Sequence, residues 1–202
     1  MGTLLNVIQE WYTDDNGKDG LYKQIPELVI RWINEGQLRY ADKSEVLQGI
    51  WSPTITSTGS IALPTDFLRE VQNRVKYDSN TVLRNIPYAD AINISAFGGT
   101  YYYSIWDGTF YVWAAAACTP TIPYIVKPAT LTSATVATAD LEMPTEDQTL
   151  LILYLDARYA RKQGNTVQYM QLMDIFDQKS RDAGQKFRER RDPVPIMRSS
   201  RW

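Results

Sequence analysis

Three pairs of carboxylates stand adjacent or nearly so in the chain: Asp14 with Asp15, Asp140 with Glu142, and Glu146 with Asp147. Paired carboxylates can run hydrolytic acid–base chemistry when a fold holds them across a cleft, a separation that closeness in sequence does not supply. No other catalytic partner is on offer. The chain contains no histidine, which removes Ser-His-Asp and Cys-His catalysis, histidine-ligated zinc and histidine pH switching. Cys118 is the only cysteine, so neither an intrachain disulfide framework nor a cysteine metal cluster can form. The stretch DDNGKDG is rich in oxygen ligands, but counting from Asp14 its fifth place is Lys18 and its twelfth is Ile25. A helix-loop-helix calcium site needs an oxygen ligand at the fifth place and a glutamate at the twelfth. The stretch reads as a turn-rich loop. AFGGTYYY lacks the lysine and following helix of a phosphate-binding loop. These exclusions point to a non-enzyme without cofactor or metal.

The chemistry that remains is charge and aromatic surface. From Lys179 onward eight basic residues face three acidic ones, so this end carries +5, and a net charge of −2 leaves −7 on the body. The closing stretch, QKFRERRDPVPIMRSSRW, brings Phe187, Arg188, Arg190 and Arg191 to the end of a helical pattern. Pro193 and Pro195 then break that pattern, and Met197, Arg198, Arg201 and Trp202 follow. Such an end can be a solvated helix terminus whose cations suit the dipole, a phosphate grip, or an arm that docks in a partner's groove with Met197 and Trp202 as anchors. Asp182, Glu189 and Asp192, interleaved with the arginines, weigh against the phosphate grip.

Aromatic residues make up 12% of the chain, including six Trp and thirteen Tyr, a composition enriched at protein interfaces. They concentrate in TYYYSIWDGTFYVWA. Asp107-Gly108 is a residue pair favoured in two-residue type I′ hairpin turns. Pairing Trp106 with Thr109 puts Ile105, Phe110, Tyr103 and Val112 on one face and Tyr102, Trp106, Tyr111 and Trp113 on the other. Both faces carry large rings, which fits either a strand pair sandwiched within one domain or a hairpin whose second face meets a neighbouring subunit.

The elements that must position these residues form an α+β chain. Thr3–Tyr12 and Tyr22–Tyr40 carry helical apolar spacing, with Thr3 as a cap and Pro26 near the second start. GIWSPTITSTGSIALPTDF has the β-branched, Ser/Thr-rich content of irregular strands. EVQNRVKYD and TVLRNI flank a hairpin turn at Ser79-Asn80, and PYADAINIS reads as a short helix. TIPYIVKPATLT is a strand placed at a sheet edge by Pro123 and Pro128, and an Ala/Thr-rich loop runs on to Leu141. MPTEDQTLLILYLDARYARKQGN then starts a buried helix with a Thr145/Gln148 capping box and stops it at Gly164. Asn165 caps a second long helix with an apolar stripe of Tyr169, Leu172, Met173, Phe176, Ala183 and Phe187, ending near Arg191. The expected organisation is a helical core from 1–50 and 144–192, a β-rich insert over 51–143, and an extended C-terminal arm over 193–202. No run is apolar enough to span a bilayer, and the N-terminus lacks a signal-peptide pattern.

Element order and local wording together resemble a known family. INEGQLRYADKSEVLQGIW leads into SIALPTDFLREVQ, then the aromatic β pair, then MPTEDQTLLILYLDARYARKQGN and a long polar-faced helix. Over nearly the whole chain this resembles the head-to-tail adaptor (connector, head-completion) proteins of tailed double-stranded-DNA bacteriophages. More closely, it resembles the podovirus tail accessory or tail tubular A type. The resemblance implies a structural virion protein of the neck, assembled in the host cytoplasm as a dodecameric ring under the portal protein. Its partners would be the portal above and a tail nozzle or tail-tube protein below, with genomic DNA passing through the channel without sequence-specific binding. The implied portal-docking residues are Phe187, Arg188, Arg190, Arg191, Pro193, Pro195, Met197, Arg198, Arg201 and Trp202. An acidic body suits a DNA conduit, since a like-charged wall does not grip its cargo. Rival readings are a tail-terminator or other neck protein, a small nucleic-acid-binding protein using the basic end, and a carboxylate-based glycan hydrolase.

Overall fold

The computed structural model describes residues 4–13, 16–55, 59–71, 74–78, 81–92, 102–114, 117–135 and 141–191. Thr3, Asp14, Asp15, Ser79-Asn80, Gly98-Gly99, Asp140 and everything expected of the arm over 193–202 lie outside them. The chain divides into two compact units, Met1–Val46 with Pro128–Trp202, and Leu47–Lys127. The fold is α+β.

The first unit is helical. Helix α1 (Leu4–Thr13) buries Val7, Ile8 and Trp11 at helical spacing. Helix α2 (Asn16–Gln24) occupies the stretch expected to be a turn, and α3 (Pro26–Ser44) starts two residues beyond it. The turn reading fails for a tertiary reason. Lys18 pairs with Asp156 at 2.7 Å and lies over the Trp11 ring, while Leu21 is buried and Tyr22 stacks on Tyr12. Those contacts outweigh a local sequence with poor helix propensity. The single long helix expected over Tyr22–Tyr40 is therefore two, broken at Ile25. Proline disfavours helical backbone in the residue before it, and Ile25 sits at φ −140°, ψ 65° with Pro26 opening the new helix.

Helix α5 (Thr149–Lys162) is the central element, with Leu151, Leu155 and Ala157 fully buried. The Thr145/Gln148 capping box does not form. Thr145–Asp147 is a 3₁₀ turn, and the buried Gln148 side chain instead donates to the Met143 carbonyl at 3.3 Å. Gly164 stops the helix at φ +80°, where its N–H and that of Asn165 close on the Arg161 and Ala160 carbonyls. Asn165 then exchanges hydrogen bonds with Gln168, its Oδ1 accepting from the Gln168 N–H at 3.1 Å, and starts α6 (Thr166–Arg191). Along α6 the buried positions are Met173, Phe176, Ser180 and Gly184. The two small residues, absent from the expected stripe, let the helix lie close to the end of α3. Arg39 of α3 makes a two-pronged pair with Asp177 of α6 at 2.7 and 2.6 Å, which holds the Asp177 carboxyl below its usual range. Leu131, Leu141 and Met143 belong to this helical core and not to the β-rich segment.

The second unit holds two sheets. Strands β1 (Gln48–Trp51), β3 (Phe67–Glu70) and β7 (Ile122–Val126) form one, in the order β1-β7-β3. Strand β7 is thus central and not an edge. Pro123 is tolerated there because its missing donor faces Val71, one residue past the end of β3, and the Val71 N–H still donates to the Pro123 carbonyl at 3.0 Å. The other sheet has the order β2-β6-β5-β4, from β2 (Gly59–Ala62), β4 (Arg84–Asn85), β5 (Tyr102–Trp106) and β6 (Thr109–Trp113). Its β5–β6 hairpin has the expected register, Trp106 opposite Thr109 and Tyr102 opposite Trp113. Asp107 and Gly108 both take positive φ, 46° and 67°, as a type I′ turn requires. Val75–Tyr77 and Thr81–Leu83 close on each other, with the Asp78 carboxylate accepting from the Thr81 N–H at 2.7 Å. A short helix α4 (Tyr88–Ile92) follows β4.

One buried tyrosine in each unit makes its stability sensitive to alkaline pH. Tyr40 is fully buried and donates to Asp147 Oδ2 at 2.5 Å. Burial first, then that carboxylate, push its hydroxyl well above the usual tyrosine range. Tyr103 is buried beside Glu70 with the same outcome for the same causes. A raised folded value means the neutral form is retained, so its stabilisation is complete below the unfolded value of about 10 and is lost as pH rises past it. Urea midpoints should therefore hold from neutral pH to about 9 and fall above about 10. Tyr40→Phe should soften that fall, and an equally steep fall in the variant would contradict the assignment.

Candidate functional site

Asp147 accepts the Tyr40 hydroxyl, Glu146 pairs with Arg190 at 3.0 Å, and Glu142 accepts the Ala129 N–H at 3.3 Å. Each of these three carboxylates has a partner within the chain. Among the described residues no group of three or more cysteine, aspartate and glutamate side chains could hold a metal ion, and no helix is long and apolar enough to cross a membrane. The lone Cys118 is buried, and burial pushes its thiol up, away from the reactive thiolate.

Helix α6 carries the basic end as far as Arg191. Phe187 is half-buried there, beside a cavity of about 290 Å³ that Val46, Pro144, Glu146, Asp147, Lys186 and Arg190 also line. Two of the candidate docking arginines are already engaged within the chain. Arg188 reaches Glu45, just past the C-terminus of α3, at 3.2 Å, and Arg190 reaches Glu146 at 3.0 Å. No local pattern announces these partners, which stand 143 and 44 residues away. Lys179, Arg181 and Lys186 are exposed on the same helix. The structure thus brings Phe187, Arg188 and Arg190 to one helix end, while Pro193, Pro195, Met197, Arg198, Arg201 and Trp202 fall outside the described residues.

The aromatic hairpin presents the second surface. Tyr103, Phe110 and Val112 are at most 1% exposed and form the core of the β unit. The opposite face gathers Tyr102, Tyr111 and Trp113, all half-buried, with Trp106 59% exposed. Tyr88 of α4 lies across it: its ring is parallel to Trp106 at 6.1 Å, tilted on Tyr111 at 4.6 Å and on Trp113 at 6.5 Å. Desolvation, then a hydrogen bond with Tyr111, raise the Tyr88 hydroxyl above its usual value. Ile86, Pro87, Tyr88, Ile105 and Trp106 line an adjoining apolar groove of about 430 Å³. Sequence reasoning found four of the rings but not Tyr88, because β4 joins β5 in parallel and no local pattern announces that pairing. The face can stack against flat apolar partners, and it has no group poised for covalent chemistry.

The described residues thus present one arginine-bearing helix end and one ring-lined sheet face. The family model described as SU10 adaptor protein matches residues 1–198, almost the entire chain. No curated protein matches it.

Proposed function

The chain belongs to the SU10 adaptor protein family, and on that premise we propose that it is a structural head-to-tail adaptor of a tailed bacteriophage virion. The family match over residues 1–198 is the observation that carries this reading. In it, copies assemble as a dodecameric ring beneath the portal protein, the C-terminal segment docks on the portal, and the tail nozzle or tail tube attaches below. The genome passes through the ring during ejection without sequence-specific contact. The work is assembly and not catalysis, in keeping with carboxylates committed to Tyr40, Arg190 and Ala129. A nucleic-acid-binding role for the basic end has less support, since Arg188 and Arg190 are matched by Glu45 and Glu146. Electron microscopy of particles carrying a tagged chain tests the location: label at the neck supports an adaptor, and label along the tail or inside the head contradicts it.

The same reading assigns the face of Tyr102, Trp106, Tyr111 and Trp113 to a neighbouring subunit. Large exposed rings at the centre of an interface supply much of its affinity. Trp106→Ala should leave the isolated chain within about 1 kcal/mol of its original stability, the worth of one ring pair. It should weaken association between copies by about tenfold or more. Denaturation of the isolated variant reads its stability, and sedimentation of mixtures with the portal protein, across a concentration series, reads the assembly. Unaltered assembly of the variant would remove this face from the subunit contact.

A further inference from the structure

Helix α6 changes character at Gly184. Before it, Met173, Phe176, Ser180 and Gly184 are buried at three- and four-residue spacing against the helical unit. After it, five of the six residues from Gln185 to Arg190 are exposed and Phe187 alone is half-buried. Phe187 borders an open cleft of about 290 Å³ whose lining includes Glu146, Asp147, Lys186 and Arg190, so little apolar packing backs this stretch. Arg188–Glu45 at 3.2 Å and Arg190–Glu146 at 3.0 Å tie the last turns to the body. The second pair stands in solvent, with the Arg190 and Glu146 side chains 72% and 64% exposed, and the first is half in it, with Arg188 50% and Glu45 25% exposed. Glycine is also the weakest ordinary residue in a helix interior. A weak helical residue, an open polar cleft and two ion pairs whose arginines are at least half-exposed thus fall together at one end of one helix.

We propose that residues 185–191 are an ionic latch hinged at Gly184, closed on Glu45 and Glu146 and able to open as a unit while 166–183 stay packed. Opening frees two arginines, so an acidic surface on a partner can open the latch by taking Arg188 and Arg190 from the two glutamates. That last step rests on the docking role proposed above; the latch itself does not. Local opening of this kind is expected where buried apolar contacts are few and exposed pairs hold the structure.

Hydrogen exchange of the full chain, without any partner, tests the latch. Raising salt from roughly 20 mM to roughly 500 mM screens solvated pairs strongly. Amides over 185–191 should then exchange about threefold faster or more, as loss of two exposed pairs implies, while those over 170–181 keep their rate. Glu45→Gln with Glu146→Gln should give the faster rate already at low salt, and Arg188→Gln with Arg190→Gln should match it. Equal protection of the two stretches under every condition would overturn the latch. So would loosening of both stretches together, or a response to only one of the two double variants. Because no partner is present, failure here leaves the adaptor reading standing, and success here does not establish it.

Discussion

Gly184→Ala is expected to destabilise the helical unit by about 2–3 kcal/mol, an overpacking cost, against a helix-propensity gain of about 1 kcal/mol that would otherwise make it stabilising. A Cβ on Gly184 would lie 1.9 Å from the Ser44 carbonyl oxygen, 2.8 Å from its carbon and 3.0 Å from its Cα. The obstacle is main chain, at the last turn of α3, where Ser44 is itself buried. A flexible side chain could swing aside, but this segment is held by Arg39–Asp177 and by the Tyr40–Asp147 hydrogen bond. The two helices would have to separate, loosening Phe176 and the Ser180 hydroxyl, which donates to the Phe176 carbonyl at 2.8 Å. Gly164→Ala makes a useful contrast. There the cost is the left-handed backbone at φ +80° with open space around it, about 1–2 kcal/mol. Chemical denaturation of both variants should rank Gly184→Ala as the more damaging. A neutral or stabilising Gly184→Ala would show that α3 and α6 do not approach as described.

Truncation after Arg191 should have the opposite profile: little change in stability and a large loss of docking. Helix α6 and its ion pairs end within the retained chain, so denaturation midpoints should shift by no more than a surface substitution does, about 0.5 kcal/mol. The removed residues include Met197, Arg198, Arg201 and Trp202, the anchor and charge types that dominate small interfaces. Losing about 3 kcal/mol of such contact is about a hundredfold in affinity per copy, and a ring that docks through many copies multiplies the loss. Yield of infectious particles from cells supplying only the truncated chain reads this out. Normal yield would mean that the segment after Arg191 is not the docking element.

What was legible in the sequence followed from local rules. The hairpin register came from Asp107-Gly108, whose backbone demand few residue pairs meet. The end of α5 and the start of α6 came from Gly164 and Asn165, each acting within one turn. What was illegible depended on distant partners. Helix α2 forms from a poor helical sequence because Lys18 finds Asp156 and Trp11. Pro123 pointed to an edge strand, yet β7 is central because the missing hydrogen bond falls just past the end of β3. The basic helix end looked like free charge until Glu45 and Glu146 were found beside it, and the aromatic face looked bare until Tyr88 was found across it. Two small residues four apart, Ser180 and Gly184, were a readable sign of close helix approach that the apolar stripe alone concealed.

The adaptor reading is tested most directly by the mass of what forms when the full chain is mixed with the portal protein of its own phage. A ring that forms only on its partner would leave the isolated chain monomeric, so the mixture and not the isolated chain is decisive. The account predicts a joint complex in which many copies of this chain add to the portal ring. Assembled portal rings with this chain still monomeric and unbound beside them would contradict it.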